Sequence, residues 1–191
     1  MLLGFHPSLY IKHNWDNLIN QVTDIANSFV KTELYKNHIL YEHGASIVAE
    51  VPGGGWISKS GPSDDFFVFG GIDELNELGH LFEKTFPELS FTPATMCFTS
   101  KNVPVHKDNI KNGQASLVYP LHVADSIGVV IDPNNESDFF YTGKNMWPTI
   151  INITEYHRVY NSEPRIWFSI HFHEPIEEVK KAFDLRKGVE I

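Results

Sequence analysis

The chain has 191 residues, of which 42% are hydrophobic, and this length and composition predict one globular domain with a substantial core. Its 24 acidic and 15 basic residues give a formal net charge of −9, without a lysine and arginine cluster that would attract nucleic acid. Cys97 is the only cysteine, which excludes an intramolecular disulfide and a cysteine-rich zinc site.

The N-terminal region, up to about residue 93, is predicted to form a helical support. Apolar residues recur at helical spacing over residues 15–30, where Asn14 is a suitable N-cap, and again over residues 72–86, just before Pro87. Both patterns are typical of amphipathic helices that pack by one face.

Between these helices the pattern is not helical. Residues 38–51 alternate loosely and are rich in β-branched residues, which favours one or two strands. Residues 52–65 are rich in glycine, serine and proline and predict a long loop. Two interpretations of this loop stay open, a flap that contacts substrate and an ordinary surface connection.

Residues 94–173 are predicted to form a β-rich core, because short apolar and aromatic runs alternate there with turn residues. The runs are residues 94–100, 114–123, 127–131, 139–141, 149–160 and 165–172. In the last run, Ile166, Phe168, Ile170 and Phe172 alternate with Arg165, Trp167, Ser169 and His171. One face of this strand is therefore expected to join the core under the helices, and the other to line a pocket. A C-terminal helix over residues 175–187, which begins at Pro175, completes a single domain spanning residues 1–191.

The chemistry of the chain centres on His106 and Asp108. Side chains separated by one residue project from the same side of an extended strand, so these two can bind one metal ion together. His157, from a distant strand, would complete a face of three ligands. Two histidines and one carboxylate with open positions are typical of non-haem Fe(II) oxygenases. Each residue also has a structural interpretation, as a turn histidine, a capping acid or a hydrogen-bonded strand histidine.

The segment from His106 to Phe172 resembles the double-stranded β-helix core of the 2-oxoglutarate- and Fe(II)-dependent oxygenases, and the resemblance covers about residues 94–173. In that family a His-x-Asp pair and a distal histidine bind iron, and a basic residue soon after the distal histidine holds the cosubstrate. The resemblance therefore implies that His106, Asp108 and His157 are the catalytic iron ligands and that Arg165 binds 2-oxoglutarate.

The resemblance also implies a fold and a reaction. The fold is mainly β with flanking helices, a jelly roll of the cupin-like kind with about eight strands. With Fe(II), 2-oxoglutarate and O2, the enzyme would hydroxylate or oxidatively demethylate at an unactivated C–H bond and release succinate and CO2. Residues 116–121 are similar to a strand of the aspartyl/asparaginyl β-hydroxylase-like branch, which favours an amino-acid side chain, free or peptidyl. A prolyl hydroxylase-like branch is the alternative.

Two competing interpretations involve the same general fold. One is a non-catalytic β-helix module that binds a metal or another ligand. The other is a cupin-type metal site at His171, His173 and Glu177, which Pro175 opposes because proline would interrupt the strand that must present Glu177. Ser169 lies too far past Arg165 to be assigned to the cosubstrate.

The sequence also bears on localisation. Residues 1–7 lack the basic and apolar segments of a signal peptide. The apolar span over residues 117–131 is interrupted by His122 and Asp125, and no uncharged run approaches the roughly 20 residues that cross a bilayer. We expect a cytoplasmic protein with a small-molecule or peptidyl substrate and with no nucleic-acid or membrane partner.

Overall fold

The computed structural model describes residues 3–5, 11–31, 39–43, 46–51, 54–59, 66–99, 102–109, 111, 113–122, 127–130, 139–141, 148–159, 164–186 and 191. Within these ranges there are three helices, α1 (Asp16–Lys31), α2 (Asp73–Thr85) and α3 (Ile176–Asp184). The strands before α2 are β1 (Leu3–Phe5), β2 (Ile39–His43), β3 (Ser46–Glu50), β4 (Trp56–Lys59) and β5 (Phe66–Gly70). Those after it are β6 (Thr95–Thr99), β7 (Val103–His106), β8 (Ala115–His122), β9 (Ile127–Val130), β10 (Phe139–Tyr141), β11 (Thr149–Asn152), β12 (His157–Val159) and β13 (Arg165–Phe172).

The strands form two antiparallel sheets. The large sheet has the order β1-β11-β8-β13-β6-β5-β4-β3-β2, and the small sheet has the order β10-β9-β12-β7. From β6 to β13 the chain moves repeatedly between the sheets, so that β11-β8-β13-β6 of one are matched by β10-β9-β12-β7 of the other. Eight strands arranged in this way form a jelly roll, or double-stranded β-helix. The prediction of a mainly β fold with flanking helices is therefore confirmed.

The N-terminal region contains more strand than the sequence indicated. Helices α1 and α2 lie where the periodicity predicts them, and the Asn14 side-chain oxygen accepts a hydrogen bond from the Asp16 N–H at 3.2 Å, as a capping residue does. Strands β2 and β3 lie within residues 38–51, where one or two strands are predicted. However, the expected helical support before residue 93 also contains β1, β4 and β5, and β1–β5 extend the large sheet at both of its edges. Strands this short carry little periodicity of their own, and they form because they pair with neighbours in the sheet.

Two further boundaries differ from the prediction. β4 lies inside the predicted loop over residues 52–65, and residues 52–53 and 60–65 of that loop lie outside the described residues. α3 ends at Asp184, before the predicted end at residue 187, and Pro175 precedes its first turn. In the part of the chain that the structure describes, no helix is long and apolar enough to cross a membrane.

The two faces of β13 have different surroundings, as the alternation predicts. Phe168 packs against the helices, with its ring centroid 5.4 Å from that of Trp15 and 6.0 Å from that of Phe82. On the opposite face, Trp167 joins a smaller apolar cluster with Cys97, Val118, Ile151 and Ile153. The helices therefore cover one face of the large sheet, and the other face belongs to the interior of the β-helix.

Candidate metal centre and its buried arginine

Pairing of β7 with β12 brings the candidate ligands together. His106 lies directly opposite His157 in this antiparallel ladder, and their ring centroids are 4.2 Å apart. Asp108 Oδ1 lies 3.6 Å from His106 Nε2. The ligand atoms of His106, Asp108 and His157 all lie within 4.8 Å of one another, and no other such group is found in the described residues. The structure thus unites three residues that are up to about fifty positions apart in the sequence.

Asp108 reaches this position in a way that strand alternation alone does not predict. β7 ends at His106, so Asp108 lies beyond the strand. Its backbone N–H donates a hydrogen bond to the Ile153 carbonyl at 2.9 Å, which attaches this segment to the chain just after β11. The expectation that both ligands lie on one regular strand is therefore corrected, although the two side chains still converge.

The hydrogen bonds of the two imidazoles favour metal binding. His106 Nδ1 lies 2.8 Å from the Pro104 carbonyl oxygen, and His157 Nδ1 lies 2.9 Å from that of Glu155. A carbonyl oxygen only accepts, so each Nδ1 carries the proton and each Nε2 keeps a lone pair for a metal ion. Burial, with a smaller effect from nearby His106, lowers the pKa of His157 below its ordinary value and keeps the ring neutral at neutral pH.

The candidate centre is partly accessible to solvent. His157 is only 6% exposed, whereas the side chains of His106 and Asp108 are 20% and 28% exposed. Two imidazole nitrogens and one carboxylate oxygen suit a divalent ion of the Fe(II) class. Three protein ligands would leave positions on such an ion for further ligands.

Arg165 is the second unusual feature of the interior. It begins β13, is 1% exposed, and has its guanidinium carbon 4.8 Å from the centre of the Trp167 ring. Within the described residues, its Nε and Nη1 atoms are buried without a hydrogen-bond partner. Burial lowers the pKa of Arg165 to about 9, so the side chain remains charged at neutral pH. A buried cation with unpaired donors is unfavourable unless an anion completes it, and a carboxylate matches its planar fork.

The competing residues are arranged differently. His171, His173 and Glu177 do not form a metal-binding group within the described residues, and the Glu177 carboxylate lies 4.0 Å from Lys180 Nζ instead. The Ser169 hydroxyl lies 3.0 Å from the hydroxyl of Ser116, and both are buried. Residues 160–163, which connect β12 to the segment before Arg165, lie outside the described residues.

Comparison with known proteins adds one distant similarity. No protein-family model matches the chain, and no curated protein sequence is significantly similar to it. Among solved structures, it is similar to the crystal structure of an oxidoreductase of the 2OG-Fe(II) oxygenase family from Burkholderia pseudomallei. The two share 9% identity over 85% of this chain and 92% of that one, with a TM-score of 0.43. A similarity this distant does not identify a function.

Proposed function

We propose that this protein is a 2-oxoglutarate- and Fe(II)-dependent oxygenase. His106, Asp108 and His157 would hold Fe(II), and Arg165 would bind the remote carboxylate of 2-oxoglutarate. The observation that carries the proposal is the joint presence, inside one double-stranded β-helix, of a convergent two-histidine, one-carboxylate group and a buried arginine with unpaired donors. If His106, Asp108 and His157 had only structural roles, the fold would not need Arg165 as a buried cation with unpaired donors.

Each residue type has a specific task in this proposal. The two Nε2 lone pairs and the Asp108 carboxylate would hold the ion. Arg165 would bind the far carboxylate of the cosubstrate, which its planar fork suits. When bound, Fe(II) with O2 and 2-oxoglutarate supplies the oxidising power, with succinate and CO2 as coproducts. The apolar cluster around Trp167 excludes water from the cosubstrate.

The proposal specifies the substrate only as a chemical class. Asp108 supplies a carboxylate ligand, which favours hydroxylation or oxidative demethylation of a C–H bond. An amino-acid side chain, free or peptidyl, is the proposed substrate class, by the aspartyl/asparaginyl β-hydroxylase-like or the prolyl hydroxylase-like branch. We propose a small-molecule or peptidyl substrate, with no nucleic acid or membrane as a partner.

The test is a turnover assay combined with metal titration. Purified protein is incubated with Fe(II), O2 and 2-oxoglutarate, alone and with a panel of amino acids and peptides, and succinate is measured. We expect Fe(II)-dependent succinate formation, including slow uncoupled turnover, and we expect His106→Ala and Asp108→Ala to abolish it together with the single Mn(II) site. His80→Ala, on the exposed face of α2, is the matched control and should behave as the parent.

The negative outcomes separate the alternatives. If the parent binds Mn(II) through the same residues but never forms succinate, the protein is a non-catalytic metal-binding module. If His106→Ala binds Mn(II) as tightly as the parent, the metal centre itself is wrongly assigned.

A further inference from the structure

Lys107 and Tyr156 are adjacent in the chain to the candidate ligands His106 and His157. His106 is opposite His157 in the last pair of the β7–β12 ladder. Lys107 directly follows β7 and Tyr156 directly precedes β12, so the two residues are the next ones beyond that pair.

The two side chains are in direct contact. Lys107 Nζ lies 4.2 Å from the centroid of the Tyr156 ring; Lys107 is exposed and Tyr156 is partly buried. Within the described residues, this ring is the partner that the structure provides for the ammonium group. An ammonium above an aromatic face is attracted by the negative potential of the ring, and the attraction increases as water is removed.

The contact between Lys107 and Tyr156 lies where the β7–β12 ladder ends. The β7–β12 ladder is short and irregular, with a shift of register between His157 and Val159, and His106–His157 is its last pair. Beyond that pair, the segment that carries Asp108 is attached to the rest of the protein by a backbone hydrogen bond to Ile153. A contact between Lys107 and Tyr156 therefore joins the two ligand-bearing segments at the point where regular pairing ends.

We propose that the cation–π contact between Lys107 and Tyr156 is a clamp that positions His106 and Asp108 against His157. The proposal rests on the metal centre of the proposed function. Lys107 and Tyr156 are positioning residues, because they act through the ligands beside them and do not touch the ion. The clamp holds the three ligand atoms close together before metal binding, which reduces the ordering that binding would otherwise require.

Substitutions at Lys107 and at Tyr156 change metal affinity in different ways. Removing the Lys107 charge weakens the clamp, but it also removes a cation near the ion and so favours binding of a divalent metal. Tyr156→Leu and Tyr156→Phe leave the net charge unchanged, and they carry the test. Only Tyr156→Phe keeps an aromatic face for the ammonium.

The experiment measures the Mn(II) dissociation constant of the full chain by calorimetry, with the melting temperature of the metal-free protein alongside. We expect Tyr156→Leu to weaken Mn(II) binding about two- to fivefold, as loss of a partly exposed cation–π contact implies. Tyr156→Phe should bind as the parent does. In a Lys107→Met background, Tyr156→Leu should cause no further loss, because its effect acts through the ammonium group.

Several outcomes overturn the clamp while leaving the metal centre intact. The first is an unchanged Mn(II) affinity in Tyr156→Leu. The second is an equal loss of Mn(II) affinity in Tyr156→Leu and Tyr156→Phe. The third is that Tyr156→Leu loses as much Mn(II) affinity in the Lys107→Met background as in the parent. If Tyr156→Leu lowers the melting temperature without changing Mn(II) affinity, the contact contributes to stability alone, and the proposed positioning role is overturned. If Tyr156→Leu does not fold, Tyr156→Met takes its place, since it keeps a long apolar side chain without a ring. Failure of the metal centre is seen separately, as unchanged Mn(II) binding in His106→Ala.

Discussion

Arg165 offers a prediction in which stability and binding change in opposite directions. The perturbation is Arg165→Met, which keeps an unbranched side chain against Trp167 and removes the charge. In the metal-free protein without cosubstrate, the Arg165 donors Nε and Nη1 are buried and unpaired within the described residues. The buried cation therefore destabilises the folded state. Replacing Arg165 with an apolar side chain should raise the free energy of unfolding.

The expected magnitudes follow from the depth of the site. Replacing buried ionic groups with apolar ones of similar volume stabilises proteins by about 1–4 kcal/mol, and Arg165 is 1% exposed, so its burial penalty is not screened by solvent. The pKa of Arg165 falls to about 9 in the folded state, well below its ordinary value, so the protonated form is penalised at pH 7. The contribution of Arg165 to stability should accordingly become more favourable as the pH rises above about 9, where the unfolded chain keeps this proton and the folded chain loses it.

Cosubstrate binding should change in the other direction. Truncating one partner of a buried charge pair costs about 2–5 kcal/mol, so Arg165→Met and Arg165→Ala should weaken 2-oxoglutarate binding about 30-fold to several thousandfold. Arg165→Lys keeps the charge but loses the planar fork, and an intermediate loss is expected. None of the three variants should weaken metal binding, because Arg165 is not a candidate ligand.

The assay is urea unfolding with and without saturating 2-oxoglutarate and Mn(II). The parent should be stabilised by the ligand, whereas Arg165→Met should be more stable than the parent without ligand and insensitive to 2-oxoglutarate. Arg186→Met is the matched control, since Arg186 is already paired with Glu88 through Nη2 and Oε2 at 2.8 Å. That control should be no more stable than the parent and should keep its response to 2-oxoglutarate. If Arg165→Met is less stable than the parent, or still responds to 2-oxoglutarate, the reasoning is refuted.

Two further predictions concern titratable groups in the interior. Burial raises the pKa of the Cys97 thiol to about 12, so an alkylating reagent at pH 8 should leave the native protein unmodified and should label this only cysteine once urea unfolds the chain. Rapid labelling of native protein would contradict the burial of Cys97. The folded pKa of His157 lies below its unfolded value of 6.5, so the unfolded chain binds more protons as the pH falls through 6.5, and the metal-free protein should become less stable. His157→Asn should show a smaller loss of stability in urea unfolding between pH 7.5 and 5, and an unchanged pH dependence would exclude His157 as the cause.

Local features of the fold could be predicted from the sequence because they depend on near neighbours. Helices α1 and α2 follow from apolar residues at helical spacing, and Pro87 limits α2. The two faces of β13 follow from strict alternation, with Phe168 under the helices and Trp167 in the interior. The candidate site residues could also be selected in advance, because His106, Asp108, His157 and Arg165 form a recognisable pattern of chemical types.

Non-local pairing had to come from the tertiary structure. Nothing in the local pattern predicts that β1–β5 extend the large sheet or that Ile153 holds the backbone of Asp108. The register of β12 decides whether His157 meets His106, because a slip of one residue would turn its side chain to the opposite face. The unpaired state of Arg165 and the contact of Lys107 with Tyr156 depend on distances between segments far apart in the chain. Such distances are set by the packing of the whole β-helix, whereas residue types and spacing are properties of the sequence alone.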